Sequence, residues 1–397
     1  MEARCFDAVN TEIIHQRAEL EARCREWQAL AERAVEPNPF YEPWALIPAF
    51  EHLAGRDEPR VLFVWVDDSR RELVGVVPIA RRFGFHHVPV RYAGLWRHLH
   101  CFLATPLIAP GAEGAVWREA LRVVSARSRL FDVGGIAADG VAAAALERVI
   151  AADHVKYDEG GTILRPLLDP RGSPGGYLEM VVKSKRRRQF DKKRRLLESS
   201  GAVRYQTSTS EGELRRWLDD FLELEGRGWK GRDHTALRER ANEVLYFRQL
   251  IAAGAALGKV VAYRLTAGAD LAAMRFDLVT QGAAFALKIA YDERFRRSSP
   301  GALLELDILG DMLTQGRYRF VDSCTVPSPH SVHGYFWREE RAIGTRILAA
   351  PGVAGATVVG AARGLRRMRN LLRGRGPHLP GTTPSRSAEP QPEATSA

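Results

Sequence analysis

Basic residues, serines and a glycine crowd into the stretch RFRRSSPG, residues 294–301. Ser299 followed by Pro300 predicts a helix start, because a serine oxygen can accept an unpaired N–H and proline has none to pair. Gly301 leaves the first turn bare of side chain. Open N–H groups, a positive helix end and three arginines predict an anion site that could hold a pyrophosphate without a metal. An alternative stays open here, in which Ser-Pro-Gly only starts a helix and the arginines are solvated.

A strand must lead into this turn and a helix must leave it. In FALKIAYD, residues 285–292, large apolar residues alternate with small or ionisable ones, which predicts a strand with Lys288 and Asp292 on the same face. From Leu303 the apolar spacing becomes helical. The order strand, basic turn, helix is therefore predicted for this segment.

Composition limits the classes of protein that fit. The chain has 397 residues, 45% of them hydrophobic, which favours two domains. Its net charge of +10 predicts attraction to polyanions. The four cysteines show no C-x-x-C spacing, and no apolar run is long enough to span a bilayer, so we expect a soluble cytoplasmic protein with no metal site.

Local patterns divide the chain. A polar helix is predicted over 11–35, and one long helix over 177–200. Hairpins are predicted where DSRR separates two apolar runs near 61–83 and where AGAD turns near 260–280.

Five segments follow from these patterns and from composition. They are an N-terminal helical segment (1–36), a first mixed α/β domain (37–170), a linker and basic helix (171–200), a second α/β domain (201–349), and a tail that is basic and then disordered (350–397).

The basic helix carries nine Lys or Arg residues against one Asp over 183–195. One interpretation is a solvated helix bridging the two domains. The others are contact with RNA, with an anionic acceptor or with a membrane surface. Phe190 is the one aromatic residue in this run, so base stacking is poorly provided for.

The segment GRGWKG, 226–231, fits the pattern G-x-G-x-x-G. It follows a helical pattern instead of a strand, which excludes a dinucleotide-binding fingerprint.

Several of these motifs together resemble a known family. The order hairpin, long strand, basic S-P-G turn, helix and RYRFVDSCTV resembles the acetyl-CoA-binding half of a GNAT acyltransferase. More narrowly, NPFYEPW, ELEGRGWKGR, FALKIAYDERFRRSSPG and VDS resemble the CelD/BcsL type, which is related to Fem-type aminoacyltransferases. The resemblance covers about 37–348, although RRSSPGA matches the usual GNAT phosphate loop only loosely. It implies an α/β (α+β) fold with two tandem GNAT-like units, each a mixed central sheet flanked by helices.

The resemblance also implies ligands. The donor would be acetyl-CoA or another acyl-CoA, bound in the second unit. Its pyrophosphate would be held by Arg296, Arg297, Ser298, Ser299, Gly301 and Ala302. Trp229, Lys230 and Arg232 would line the cleft for the acceptor or donor. The alternative for these residues is a helix C-cap with a packing tryptophan.

In such an enzyme the acceptor amine must lose a proton and the thiolate can take one. Asp292 and Asp322, expected at the ends of two neighbouring strands, are the candidate bases. Lys288 could orient Asp292 or bind an anionic acceptor, and Tyr335 is a candidate acid. Strand-end salt bridges for the carboxylates, and a core position for the tyrosine, are the alternatives.

The first functional hypothesis is thus an acyl-CoA-dependent N-acyltransferase acting on an amine of a sugar, polysaccharide or cell-envelope precursor, as in cellulose or exopolysaccharide synthesis, in the cytoplasm or at the inner face of the membrane. The second is a non-catalytic polyanion-binding protein on a GNAT scaffold. The third is a Fem-like transferase that uses aminoacyl-tRNA.

Overall fold

The computed structural model describes residues 9–66, 72–85, 88–170, 174–325, 332–350 and most of 357–364. The tail expected to be disordered lies almost wholly outside these residues. The first half contains strands β1 (Val9–Ile14), β2 (Glu58–Val66), β3 (Glu72–Phe85), β4 (Val88–Leu95), β5 (Leu107–Ile108), β6 (Leu130–Ala137) and β7 (Tyr157–Leu168). Its helices are α1 (Arg17–Glu21), α2 (Cys24–Arg33), α3 (Pro43–His52), α4 (Glu113–Ser125) and α5 (Val141–Ala152).

The second half begins with two helices and then alternates strands and helices. Its strands are β8 (Val203–Ser208), β9 (Val260–Ala267), β10 (Asp270–Thr280), β11 (Ala283–Tyr291), β12 (Phe320–Asp322) and β13 (Glu339–Ala349). Its helices are α6 (Pro174–Val181), α7 (Ser184–Glu198), α8 (Glu211–Arg227), α9 (Trp229–Arg232), α10 (Ala241–Ala256), α11 (Pro300–Gln315) and α12 (Val332–Phe336). Short 3-10 helices span Pro39–Tyr41, Leu237–Glu239 and Glu293–Ser298.

Both predicted hairpins are confirmed, as β2–β3 and β9–β10. Two helix predictions are wrong. The segment predicted as one helix over 11–35 begins as β1, which pairs antiparallel with β2 and forms one edge of the sheet. The helix predicted over 177–200 is two helices, because Lys183 has extended backbone angles.

All the described strands form one sheet, in the order β1-β2-β3-β4-β6-β13-β7-β12-β11-β10-β9-β8, with β5 pairing β3. The mixed α/β fold class predicted from sequence is confirmed. The two halves repeat one arrangement: an antiparallel hairpin, a third antiparallel strand, a helix, and a strand that pairs in parallel with the third over three residues (β4 with β6, β11 with β12). The last strand, β13, lies between β6 and β7 of the first half, so the halves share one sheet.

Candidate functional site

The sheet opens beside the second half of β11. β12 pairs in parallel with Ala283–Phe285 only, and its last residue, Asp322, lies level with Phe285. β11 continues to Tyr291 while staying paired with β10 on its other side. Because no other described strand pairs with β11, a gap lies between the end of β11 and the short β12.

A β-bulge at Leu287 sets the direction of the side chains in this gap. Two residues of β11 oppose one of β10 there, so the alternation of faces reverses. Lys288 Nζ then lies 5.8 Å from the centre of the Phe247 ring on α10. Ile289 instead faces Gly301 at the start of α11. The regular alternation predicted from sequence is therefore wrong beyond Leu287.

The chain turns from β11 into α11 through the 3-10 helix Glu293–Ser298. Ser299 has φ 48° and ψ 58°, a left-handed conformation that ends the 3-10 helix, and Pro300 is the first residue of α11. The predicted capping by the Ser299 side chain is wrong, since its oxygen makes no bond to the helix backbone. Its carbonyl accepts the N–H groups of Ala302 and Leu303 at 3.0 and 3.1 Å. The N–H of Gly301 has no partner among the described residues.

The predicted phosphate-binding residues do lie together around this turn. Arg296 and Arg297 are exposed, and neither makes an ion pair with any residue in the described ranges. Ser298 is buried beneath them, and Gly301 and Ala302 are half-buried in the first turn of α11. The turn thus offers one open N–H, a helix start and two unpaired cations to an anion.

The basic helix α7 packs against this turn. Phe190 is buried, with its ring centre 5.5 Å from that of Phe336. Arg194 pairs with Asp307 of α11 at 2.5 Å. Lys193 Nζ donates a hydrogen bond of 2.7 Å to the hydroxyl oxygen (Oγ) of Ser299. α7 is therefore held against α11 and adds a third cation to the turn, which the interpretation as a solvated bridge did not anticipate.

Lys288 lies in the opening with no ion pair to any described residue. Burial and the nearby Lys230 ammonium lower its pKa to about 8, while Glu225 and Glu243 act in the opposite direction. The Phe247 ring lies beside its ammonium group. A lysine with this pKa can give and take a proton near neutral pH.

Two glutamates beside Lys288 were not identified from sequence as site residues. Glu225 accepts from Lys230 Nζ at 2.5 Å and from the Leu237 N–H at 2.9 Å. The sequence contains a sign of this role for Glu225, because it is an acidic residue on the apolar stripe of α8.

Glu243 accepts from Arg240 at 2.8 Å and lies 2.8 Å from Nε2 of His100, which comes from the first half. Burial lowers the pKa of His100 to about 4. No sequence pattern links these residues, which are more than 130 positions apart.

The three predicted cleft residues lie at the end of β11. Trp229 and Lys230 line a small cleft of about 50 Å³ together with Tyr291. Trp229 is half exposed, and its backbone N–H donates to Glu293 at 2.7 Å. Arg232 pairs with the other oxygen of Glu293 at 2.7 Å, so α9 is tied to the turn.

The structure separates the two predicted carboxylates. At about 3.3 Å per residue, Asp292 lies roughly 20 Å along the strand from the level of Asp322. Asp292 caps the 3-10 helix and accepts from the Arg294 N–H and guanidinium at 2.6 to 2.9 Å. Burial would raise the pKa of Asp292, but these bonds from Arg294 lower it. The salt-bridge interpretation fits its surroundings.

Asp322 is fully buried in an ion-pair network. It pairs with Arg165 at 2.5 Å and with Arg341 at 3.0 Å, and its other oxygen accepts the Cys324 N–H at 2.9 Å. Burial opposes ionisation, but the two guanidiniums lower the pKa of Asp322 overall. These contacts join β12 to β7 and β13.

Tyr335 does not lie in the core, since it is 43% exposed. The guanidinium of Arg186 on α7 lies 3.8 Å from its ring centre. It is thus on the outer side of α12, beside the basic helix.

Within the described part of the chain, no group of His, Cys, Asp or Glu residues could hold a metal ion. No described helix is long and apolar enough to cross a membrane.

Comparison with known proteins bears on the second half. Residues 184–330 match the family model of the acetyltransferase (GNAT) domain. This range runs from the start of α7 past β12 and includes β11, the turn and α11. The resemblance to GNAT proteins is confirmed for this part of the chain, and the CelD/BcsL type stays a prediction. No curated protein matches.

Three solved structures are similar in fold along most of the chain. FemX has a TM-score of 0.54 at 10% identity, covering 92% of this chain and 100% of that one. A conserved protein of unknown function from Bacteroides thetaiotaomicron VPI-5482 has a TM-score of 0.53 at 10% identity, covering 86% and 100%. The C-terminal domain of a putative lysylphosphatidylglycerol synthetase from Agrobacterium fabrum has a TM-score of 0.52 at 12% identity, covering 88% and 98%. At these identities the likeness extends to the fold alone.

Proposed function

We infer that this chain, whose residues 184–330 match the GNAT acetyltransferase domain, is an enzyme that transfers an acyl group from acyl-CoA to an amine. The observation that carries this proposal is the turn between β11 and α11. It presents an open N–H at Gly301 and unpaired Arg296 and Arg297 beside a gap in the sheet. Anions bind at such helix starts, and the CoA pyrophosphate is the anion expected in this domain.

Lys193 extends the donor site beyond the residues identified from sequence. Its ammonium lies 2.7 Å from the Ser299 oxygen, at the edge of the turn. A phosphate that reached the Gly301 N–H would lie close to this ammonium and could replace the serine as its acceptor. Lys193 therefore joins Arg296 and Arg297 as a donor-binding residue in the proposal.

Lys288 is proposed as the group that moves the proton, in place of Asp292, Asp322 and Tyr335. The amine nitrogen attacks the thioester carbonyl, a C–N bond forms, and the C–S bond breaks. Neutral Lys288 takes the proton from the amine and then gives it to the thiolate, so protons balance without a second acid. Its pKa of about 8 and its place in the opening support this role.

Trp229, Lys230 and Arg232 are proposed to bind the acceptor at the mouth of the opening. The acceptor class is the one expected from sequence: an amine on a sugar, a polysaccharide or a cell-envelope precursor, as in the CelD/BcsL type. The cleft is small, about 50 Å³, so a larger acceptor must extend out of it.

The test is release of free thiol from several acyl-CoAs against a panel of amino sugars and other amines. Lys288→Met and Lys288→Arg separate proton transfer from anion binding, since arginine keeps the charge but does not deprotonate. Both variants should lose turnover, and the wild-type rate should rise with pH through about 8. If Lys288→Arg keeps the wild-type rate, Lys288 only supplies charge.

The Fem-like hypothesis is the second candidate, because the FemX fold covers 92% of the chain. It predicts transfer from aminoacyl-tRNA and no thiol release from any acyl-CoA. The same assay, run with both donors, decides between the two.

A further inference from the structure

A second basic site lies in the first half, outside the part that matches the GNAT domain. It is a groove of about 1160 Å³ between the start of β2, the end of β3, the start of β4 and the segment that joins α4 to β6. Six arginines and a single glutamate, Glu58, supply its charged lining. The arginines are Arg56, Arg81, Arg82, Arg91, Arg127 and Arg129.

Strand register explains how these charges meet. Arg81 and Phe83 lie on one face of β3, and Arg91 of β4 is directly opposite Phe83. Phe83 is 71% exposed at the rim. Glu58 lies opposite Arg81 in the β2–β3 register, but the two do not form an ion pair.

Most of this positive charge is uncompensated. Arg82 pairs with Asp57 at 2.7 Å. The other five arginines of the groove make no ion pair with any residue that the structure describes. Burial and the neighbouring guanidiniums of Arg60 and Arg127 lower the pKa of Arg81, the direction expected when like charges crowd.

A structural role does not account for this arrangement. The negative end of α4 precedes Arg127 and Arg129, but a helix end typically stabilises a nearby cation by only about 0.3–1 kcal/mol. Like charges gathered on one concave surface destabilise the folded state by mutual repulsion. A bound anion would remove that repulsion, and the volume exceeds what a single phosphate needs.

We propose that this groove binds a ligand carrying two or more phosphate groups, held by the guanidiniums of Arg81 and Arg91 across the β3–β4 pair. Two sources share this chemistry: a soluble polyphosphorylated molecule and the head groups of anionic lipids. The groove lies at the starts of β4 and β6, whereas the donor site lies at the end of β11, so one ligand need not affect the other.

Inorganic tripolyphosphate is the soluble probe, and phosphatidylglycerol vesicles are the lipid probe, with phosphatidylcholine vesicles as the neutral reference. The test variant is Arg81→Ala/Arg91→Ala. The matched control is Arg148→Ala/Arg216→Ala, which removes two exposed arginines elsewhere and changes the net charge equally. Calorimetry and vesicle flotation measure binding, and thermal melts measure stability without ligand.

The double variant should bind the active probe at least about tenfold more weakly, since each lost charged hydrogen bond weakens binding by roughly tenfold or more. The control should bind like the wild type. Without ligand, the double variant should melt no lower than the wild type, because its repulsion is relieved. Loss of tripolyphosphate binding indicates a soluble ligand, and loss of vesicle binding alone indicates lipid.

Three results overturn the proposal: neither probe binds, the variant and the control bind alike, or Arg81→Ala/Arg91→Ala melts well below the wild type without ligand. Failure here is separable from failure of the donor assignment. Gly301→Trp should remove CoA binding and keep the tripolyphosphate binding that depends on Arg81 and Arg91, and Arg81→Ala/Arg91→Ala should leave CoA binding intact.

Discussion

Replacing Lys288 with methionine should stabilise the protein at neutral pH. Burial and the Lys230 charge lower the pKa of Lys288 from 10.5 to about 8. A shift of that size corresponds to about 3 kcal/mol of unfavourable free energy for the charged form, at 1.36 kcal/mol per unit. The lost contact with the Phe247 ring offsets about 0.5–1 kcal/mol of the gain, and we expect a net gain of roughly 2 kcal/mol.

The gain should depend on pH in a definite direction. The folded-state pKa of Lys288 is below the unfolded value, so the unfolded chain binds the extra proton between about pH 8 and 10.5. Below pH 8 the charged lysine therefore lowers the stability of the folded protein by the full amount, and this loss becomes smaller as the pH rises. The advantage of Lys288→Met over the wild type should be full at pH 7 and should fade toward pH 10.5.

Thermal melts of both proteins at pH 7 and pH 10 measure this difference. The control is Lys259→Met, because Lys259 pairs with the fully buried Glu42. Leaving a buried charge without its partner costs about 3–5 kcal/mol, so this variant should melt well below the wild type. If Lys288→Met loses stability at pH 7 as Lys259→Met does, the described surroundings of Lys288 are wrong.

Three further predictions follow from named contacts. Lys193→Ala should weaken CoA binding about tenfold by calorimetry, the effect of one charged hydrogen bond; unchanged affinity would remove Lys193 from the donor site. Asp322→Asn should lower stability by about 3–5 kcal/mol in thermal melts, since Arg165 and Arg341 lose their buried partner; a fully stable variant with a slow rate would make Asp322 catalytic instead. The melting temperature should fall as pH drops from 7 to 5, because burial lowers the pKa of His100 to about 4 and the unfolded chain takes the proton first. In His100→Gln this fall should be shallower, and an equal fall in both proteins would show that other groups cause it.

The segment that contains β11, the turn and α11 was predictable from sequence, because its signals lie in neighbouring residues. The change of period and the Ser-Pro-Gly triplet mark its boundaries, and the structure has them there. The bulge at Leu287 left no trace, because the residues on both sides still alternate in size. As a result, the sequence predicts an ionisable face that carries Lys288, but it does not predict that Lys288 faces Phe247 while Ile289 faces Gly301.

Contacts between distant parts of the chain were not predictable. The His100–Glu243 contact joins the two halves, and the Asp322 network depends on where β13 enters the sheet. Nothing in one sequence specifies such a strand order. Position along a strand favours Asp292 and Asp322 as bases, whereas their ion-pair partners decide whether they can act as bases.

Titration of CoA by calorimetry into the wild type, Gly301→Trp and Gly310→Trp tests the donor site most directly. A side chain at Gly301 would fill the turn beside Tyr291, whereas Gly310 lies on the same helix with open space around it. We expect binding to the wild type and Gly310→Trp and none to Gly301→Trp. Absence of binding to the wild type, or equal binding to all three proteins, would contradict it.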